Sequence, residues 1–228
     1  MSSGSEPSSQ LTDATIAPVG HYDELVERAR GLIPILSERA EQTQDLRRIP
    51  PETKQALERA GVARLLQPAR YGGCEGHLFG AVEILTHVGS ACGSTAWCLA
   101  QYIGHNFMLS QWPVEAQDEI WGVKPESLLA GILIPLCGKA SKVDGGYRLT
   151  GRWPFVSGVD GCDWCILSGM VDNPNGDDEE RYFMMQHGTF EIIDTWHAMG
   201  LKGSGSHDIA VEDAFIPAHR TLSIEHLK

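Results

Sequence analysis

Residues 145–158 read GGYRLTGRWPFVSG, a run that predicts the turn and second strand of a β-hairpin. The opening glycine pair favours a tight turn because glycine accepts the positive φ that hairpin turns demand. Polar and apolar residues alternate before the turn, in 139–143, and after it, in 147–152. Pro154 cannot donate to a strand ladder, so it predicts an edge or the end of regular pairing.

Phe155 and Ser157 follow two positions apart, so an extended strand would carry both on one face. An aromatic plane beside a hydroxyl donor suits a flat ligand that accepts a hydrogen bond. An ordinary strand end with a core phenylalanine fits the same spacing, and spacing alone favours that second interpretation.

The composition is that of a globular protein, with 228 residues, 42% hydrophobic residues and a net charge of −12. No basic patch is present, which argues against nucleic acid and anionic membrane as partners. The longest apolar run, residues 128–137, is about half of what a membrane helix needs. Residues 1–20 are rich in serine and are expected to form a disordered leader, not a secretory signal. With six cysteines and no export signal, we expect reduced thiols and a cytoplasmic location.

Helical spacing of apolar residues predicts an all-helical first part. Gly31 and Pro34 fall inside the first helical segment, so a kink or two shorter helices is expected there. The predicted helical segments are 21–46, 51–61, 78–91, 95–111 and 113–122. We expect Ser94 to cap the fourth of these, and its nearly uniform apolar character predicts burial.

From residue 128 the pattern changes to strands. The predicted strands are 128–134, 138–143, 147–153, 164–171, 181–186, 190–195 and 207–216. The fold class is therefore α+β, with a helical domain over 21–126 and an antiparallel β-barrel or sandwich domain over 127–228.

Trp97, Gln101 and His105 lie one helical turn apart and form a ridge on the helix over 95–111. Buried polar side chains must find hydrogen-bond partners, and a ligand is one candidate. A core helix whose His105 and Gln101 bond to nearby backbone is the alternative. For an isolated buried histidine that alternative is favoured.

Two motifs together resemble the middle β-domain of the acyl-CoA dehydrogenase superfamily. The first is YxLxGxWxFxSG at 147–158, and the second is MGLKGSGSHD at 199–208 with VEDAFIP at 211–217. The resemblance covers about residues 21–228 and is closest to the flavin-dependent monooxygenase branch. In that superfamily a C-terminal four-helix bundle follows the β-domain and builds a tetramer. Because this chain stops at Lys228, we expect either a fragment or a truncated relative.

The resemblance implies the oxygenase component of a two-component flavin-dependent monooxygenase. A separate flavin reductase would supply reduced FMN or FAD, and reaction with O₂ would hydroxylate a small aromatic substrate. It also implies a homo-oligomer, a tetramer in the family. The alternatives are an FAD-dependent acyl-CoA dehydrogenase and a truncated, non-catalytic remnant.

The same resemblance assigns residue roles. Phe155 is expected to pack on the flavin ring, with the Ser157 hydroxyl near flavin N5 or O4. Trp97, Gln101 and His105 are expected to line the substrate side of the flavin, where Trp97 also contacts the cofactor. His105 is the expected catalytic residue, since a neutral imidazole with a pKa near 6.5 suits a base that binds or deprotonates a phenol.

Ile132 and Leu133 take the place of residues that touch the flavin pyrimidine in the family. The polar pair usual in acyl-CoA dehydrogenases is replaced here by Leu133-Ile134, and a following Gly-Ser-Asp turn is absent. Both departures argue against CoA thioester chemistry. The CxxC at 162–165 lacks a second ligand pair and is interpreted as structural, and no metal site is predicted.

Overall fold

The computed structural model describes residues 20–173 and 176–227, in which six α-helices precede eight β-strands. The helices are α1 (Tyr22–Glu38), α2 (Ala40–Leu46), α3 (Pro51–Ala60), α4 (Leu78–Ala91), α5 (Gly93–Leu109) and α6 (Val114–Trp121). The strands are β1 (Leu129–Ile132), β2 (Gly138–Val143), β3 (Gly146–Val156), β4 (Trp164–Val171), β5 (Glu179–Gln186), β6 (Glu191–Ile193), β7 (His207–Pro217) and β8 (Thr221–Ser223). This order confirms the predicted α+β class. The predicted leader lies outside the described residues apart from Gly20.

Helix ends follow the sequence signals in α3 and differ from them in α1 and α5. Pro51 occupies the first turn of α3, and Gly61 ends it with φ 69°. The first segment does form two helices, but the break falls at Arg39, and α1 continues through the exposed Pro34. Helix α5 begins at Gly93 with Cys92 as its N-cap, so the prediction that Ser94 caps it was wrong.

The strands form one sheet in the order β6-β7-β3-β2-β4-β5-β8, with β1 paired to β4. The pairings are antiparallel except that β1 and β2 both run parallel to β4. Strand β1 pairs with residues 164–167 of β4, and β2 pairs with residues 170–171. Residues 133–137 therefore link two strands that lie along the same edge of β4. The short strand β8 was missed by the sequence analysis because three residues carry too little alternation to be recognised.

One hydrophobic core runs through both parts of the chain. It joins Leu99 and Ile103 of α5 to Leu128, Ala130 and the inner faces of the other strands. The last helix ends at Trp121 and the first strand begins at Leu129, so the predicted boundary near residue 126 lies between them. The division into two domains remains a prediction, since the described halves share this core.

Helix α5 is not buried all round, contrary to the prediction. Its inner face is buried through Leu99, Tyr102 and Ile103, while Trp97 and Phe107 are each about half exposed. Within the described ranges, no helix is both long enough and apolar enough to pass through a bilayer.

Candidate active site

The ridge on α5 runs from the protein surface into the core. Trp97 is 46% exposed, Gln101 is half-buried and His105 is 6% exposed. In the described part of the chain, the side-chain amide of Gln101 has no hydrogen-bond partner. Its donors and acceptor are therefore available to a ligand or to water.

His105 is held tightly at the buried end of the ridge. Its Nδ1 donates to the carbonyl oxygen of Leu129 over 3.2 Å, which leaves Nε2 as the acceptor in the neutral ring. A Cβ added to Gly131 would lie 2.9 Å from Nε2, so the strand passes close to that edge of the ring. Burial lowers the pKa of His105 from its ordinary value of about 6.5 to about 4. The expectation of a base with a pKa near 6.5 is corrected accordingly.

Phe155 is placed by an irregularity in β3. The register between β3 and β7 shifts between Trp153 and Val156, and Phe155 adopts φ +63°. As a result Phe155 is 60% exposed while Val156 and Ser157 are buried. Side chains do not alternate strictly between the two faces here. The prediction that Phe155 and Ser157 share one face was therefore wrong, and so was the alternative that Phe155 is a core residue. Pro154 lies in this irregular stretch, past Gly151, where pairing with β2 has ended.

Ser157 belongs to a chain of hydroxyls that begins at Trp97. The indole Nε1 of Trp97 donates to Ser157 Oγ over 2.9 Å. Ser157 Oγ lies 2.8 Å from Ser206 Oγ, and Ser206 Oγ lies 2.7 Å from Ser204 Oγ. All three serines are buried. The tip of α5 is therefore connected to the end of β3 and to the loop before β7.

Counting protons gives this hydroxyl chain a direction. Three hydroxyl protons serve two bonds between the serines, so one proton is left over, at Ser157, Ser206 or Ser204. Among the described residues, neither Ser204 Oγ nor Ser206 Oγ meets an acceptor other than these serines, and the two residues are 1% and 3% exposed. A proton left there would be buried without a partner, which costs about 1–3 kcal/mol. The favoured arrangement therefore leaves the spare proton on Ser157, which at 8% is the most exposed of the three and lies two residues from the exposed Phe155.

Ile132 ends β1 and Leu133 follows it, and β1 contacts both α5 and β3. Ile132 is half-buried against the main core, and Leu133 is 37% exposed. These residues present apolar surface and no polar side chain at the position where the sequence comparison expects contact with a flavin pyrimidine.

Sequence reasoning missed Ser204, Ser206 and Trp196. The two serines lie in the second motif, but only the fold brings them against Ser157. Gly205 has φ +51°, a conformation that glycine adopts without strain, and this turn places both hydroxyls on one side. Trp196 contacts the ring of Phe155 with 6.2 Å between ring centroids, and no spacing signal pointed to it.

All six cysteines are free thiols. Burial raises the pKa of Cys162 to about 12, so its thiol is not an accessible nucleophile, in line with a structural role for the CxxC. No group of three or more metal-ligating side chains occurs in residues 20–173 and 176–227.

Comparisons with known proteins place this site in context. No model of a protein family matches the chain. The chain is 37% identical over 201 residues to the flavin-dependent monooxygenase oxygenase subunit HsaA of Rhodococcus jostii, covering 88% of this chain and 52% of that protein. It is 32% identical to the oxygenase component of an FADH₂-dependent resorcinol hydroxylase from a Rhizobium species, covering 87% and 49%.

Solved structures agree with these sequences. The structure of XiaF from a Streptomyces species, in complex with FADH₂ and glycerol, superimposes with a TM-score of 0.85 at 32% identity. The match covers 90% of this chain and 52% of that one. The chain thus spans about half the length of the relatives it matches. By sequence and by fold, the chain is similar to about half the length of the oxygenase components of flavin-dependent monooxygenases.

Proposed function

We propose that this chain forms the flavin- and substrate-contacting part of the oxygenase component of a two-component monooxygenase. Reduced FMN or FAD would come from a separate flavin reductase, and the substrate would be a small aromatic compound, as the names of the relatives suggest. When bound, the reduced flavin supplies the activation of O₂ that inserts one oxygen atom into the substrate.

The proposal rests on the exposed ring of Phe155 and on the hydroxyl of Ser157, two residues away, to which the proton count assigns the spare proton. A flavin needs a flat apolar contact for its ring and hydrogen-bond donors for its nitrogen and carbonyl acceptors. Phe155 fits the first need and Ser157 the second. Ile132 and Leu133 would add apolar contact at the end of β1.

The α5 ridge would then take the substrate. Trp97 offers a half-exposed aromatic surface, and Gln101 offers an unpaired amide. Trp97 also fixes the acceptor side of Ser157, because its indole N–H can only donate. The ridge thereby joins the substrate side of the site to the flavin side.

We propose that His105 orients the substrate hydroxyl and does not remove its proton. A phenol has a pKa of about 10, roughly six units above that of the buried imidazole, so full proton transfer to His105 is strongly uphill. Accepting a hydrogen bond at Nε2 requires no charge in the core. This keeps His105 as the catalytic candidate in a revised role.

The test is anaerobic titration of the chain with reduced FMN and separately with reduced FAD, followed by rapid mixing with oxygenated buffer. Saturable binding, and product from a simple phenol, are expected. The Ser157→Ala variant should bind reduced flavin more weakly, and Ser141→Ala, an exposed serine on β2, is the matched control. If neither flavin binds to this chain or to a chain extended to the length of its relatives, the proposal is wrong.

His105→Ala tests the substrate side. We expect flavin affinity within about twofold of the parent and a fall in product formed per NADH consumed, because an unoriented phenol is hydroxylated less efficiently. The melting temperature, measured in parallel, separates this effect from loss of fold. Unchanged coupling of product to NADH would remove His105 from the reaction.

We further propose a homo-oligomer, a tetramer as in the family, in the cytoplasm. The six unpaired cysteines support a reducing compartment. Light scattering of the chain and of an extended chain would measure the oligomeric state directly.

A further inference from the structure

The conformation of Phe155 requires an explanation that the sheet itself does not give. A bulky residue at φ +63° is disfavoured sterically, and such outliers cluster at functional sites. Since Phe155 is also mostly exposed, core packing does not hold its ring in place. The ring contact recorded for it within the described residues is with Trp196, edge to face, at an interplanar angle of 80°.

Trp196 has each of its polar groups in a hydrogen bond. Its backbone N–H donates to Nδ1 of His207 over 3.3 Å. Its carbonyl accepts from Arg47 over 3.0 Å, and its indole N–H donates to the carbonyl of Leu201 over 3.1 Å. The backbone of this half-buried residue is held at two points and its indole at one, which restricts rotation of the ring.

The groups that hold Trp196 are themselves anchored in both parts of the chain. Arg47 ends α2 and pairs with Asp194 over 2.6 Å. His207 begins β7, is buried, and accepts from the backbone N–H groups of both Thr195 and Trp196. Trp196 is thus held by one group from the helical part of the chain and one from the sheet.

We infer that Trp196 is a positioning residue that holds the ring of Phe155 in the orientation that contacts the flavin. The inference rests on the proposed function, and it assigns to Trp196 an effect on flavin affinity that passes through Phe155. Trp196 is not required to touch the flavin.

A double-mutant cycle on flavin affinity tests this role. Phe155→Ala, Trp196→Leu and the double variant are titrated anaerobically with reduced FMN and reduced FAD. We expect Trp196→Leu to raise the Kd by about tenfold and the double variant to bind no worse than Phe155→Ala within about twofold. Trp196→Phe, which keeps a ring, should stay within about threefold of the parent. Met199→Ala, in the same loop and 98% exposed, is the control and should change nothing.

A fluorine label on the ring of Phe155 gives a readout that needs no flavin. In the flavin-free parent we expect a resonance shifted by the neighbouring indole, and in Trp196→Leu we expect that shift to be lost while the melting temperature stays close. An unshifted resonance in the parent would overturn the positioning role.

The outcomes separate the two proposals. If the parent binds flavin and Trp196→Leu binds equally well, the positioning role is wrong and the proposed function stands. Fully additive losses in the double variant would mean that Trp196 acts independently of Phe155, which also overturns it. If neither the parent nor an extended chain binds flavin, the proposed function fails, and the role assigned to Trp196 fails with it.

Discussion

His105 and Trp97 lie two turns apart on one row of α5, yet their surroundings differ in almost every respect. His105 is enclosed by β1, is uncharged at neutral pH, and bonds to backbone. Trp97 is half exposed and donates its indole N–H to the hydroxyl of Ser157. The buried end is fixed by close packing, whereas the open end is fixed by directed hydrogen bonds. Substitutions should therefore cost stability at the first end and ligand affinity at the second.

The largest expected effect is at the strand that covers His105. A Cβ on Gly131 would lie 2.8 Å from the carbonyl oxygen of Ile166 and 2.9 Å from His105 Nε2. We expect Gly131→Ala to lower the free energy of unfolding by about 3 kcal/mol, since the backbone of a paired strand yields little. Gly104→Ala is the control, because nothing lies within 4 Å of its Cβ position on α5. Gly104→Ala should raise the free energy of unfolding by about 0.5–1 kcal/mol. Denaturant unfolding measures both, and equal stabilities would contradict close packing at this end.

A second test uses pH. Since the pKa of His105 is about 4 in the folded protein and about 6.5 when unfolded, the unfolded chain takes up the proton first as pH falls. The free energy of unfolding is therefore unaffected by this group above pH 6.5. It falls as the pH decreases from 6.5 to 4, by about 3 kcal/mol at most. His105→Gln, which cannot titrate, should show a flatter curve of unfolding free energy over that window. Parallel curves would mean that the imidazole is not buried as described.

Smaller effects are expected within the hydroxyl chain. Ser206→Ala leaves Ser204 without its partner and should cost about 1–2 kcal/mol of stability. The flavin Kd should rise roughly threefold, because the hydroxyl of Ser157 loses its hydrogen bond with Ser206. Titration with reduced flavin and thermal unfolding measure the two effects. No change in either would show that the chain lacks the direction inferred from its proton count.

The smallest effect on stability should come from Trp97→Phe. This change removes the bond to Ser157 at a half-exposed position and should cost less than about 1 kcal/mol in unfolding experiments. A loss as large as that of Gly131→Ala would erase the contrast between the two ends of α5.

The sequence was sufficient for the fold because its signals there are local. Gly61 ends α3, Pro51 opens it, and the alternation around the glycine pair at 145–146 gives the β2–β3 hairpin. The same local logic fails at Phe155, since a bulge depends on how β7 pairs with β3 and not on the residues of β3 alone.

The site could be predicted from the sequence only in part, for a related reason. The Trp97, Gln101 and His105 ridge follows from helical spacing, but the burial of His105 depends on β1 passing at Gly131. Ser206 lies 49 residues from Ser157 in sequence and meets it only because β7 pairs with β3. Contacts across such separations leave no trace in residue spacing.

The pairing of β3 with β7 also affects how the chain folds while it is being synthesised. Gly146 of β3 is partnered by Pro217, so an 11-residue strand emerges from the ribosome long before its neighbour is synthesised. Until then β3 has one unpaired edge, and unpaired edges recruit other chains. Chains interrupted before residue 207 should therefore aggregate during expression, even though every helix and the first hairpin are complete.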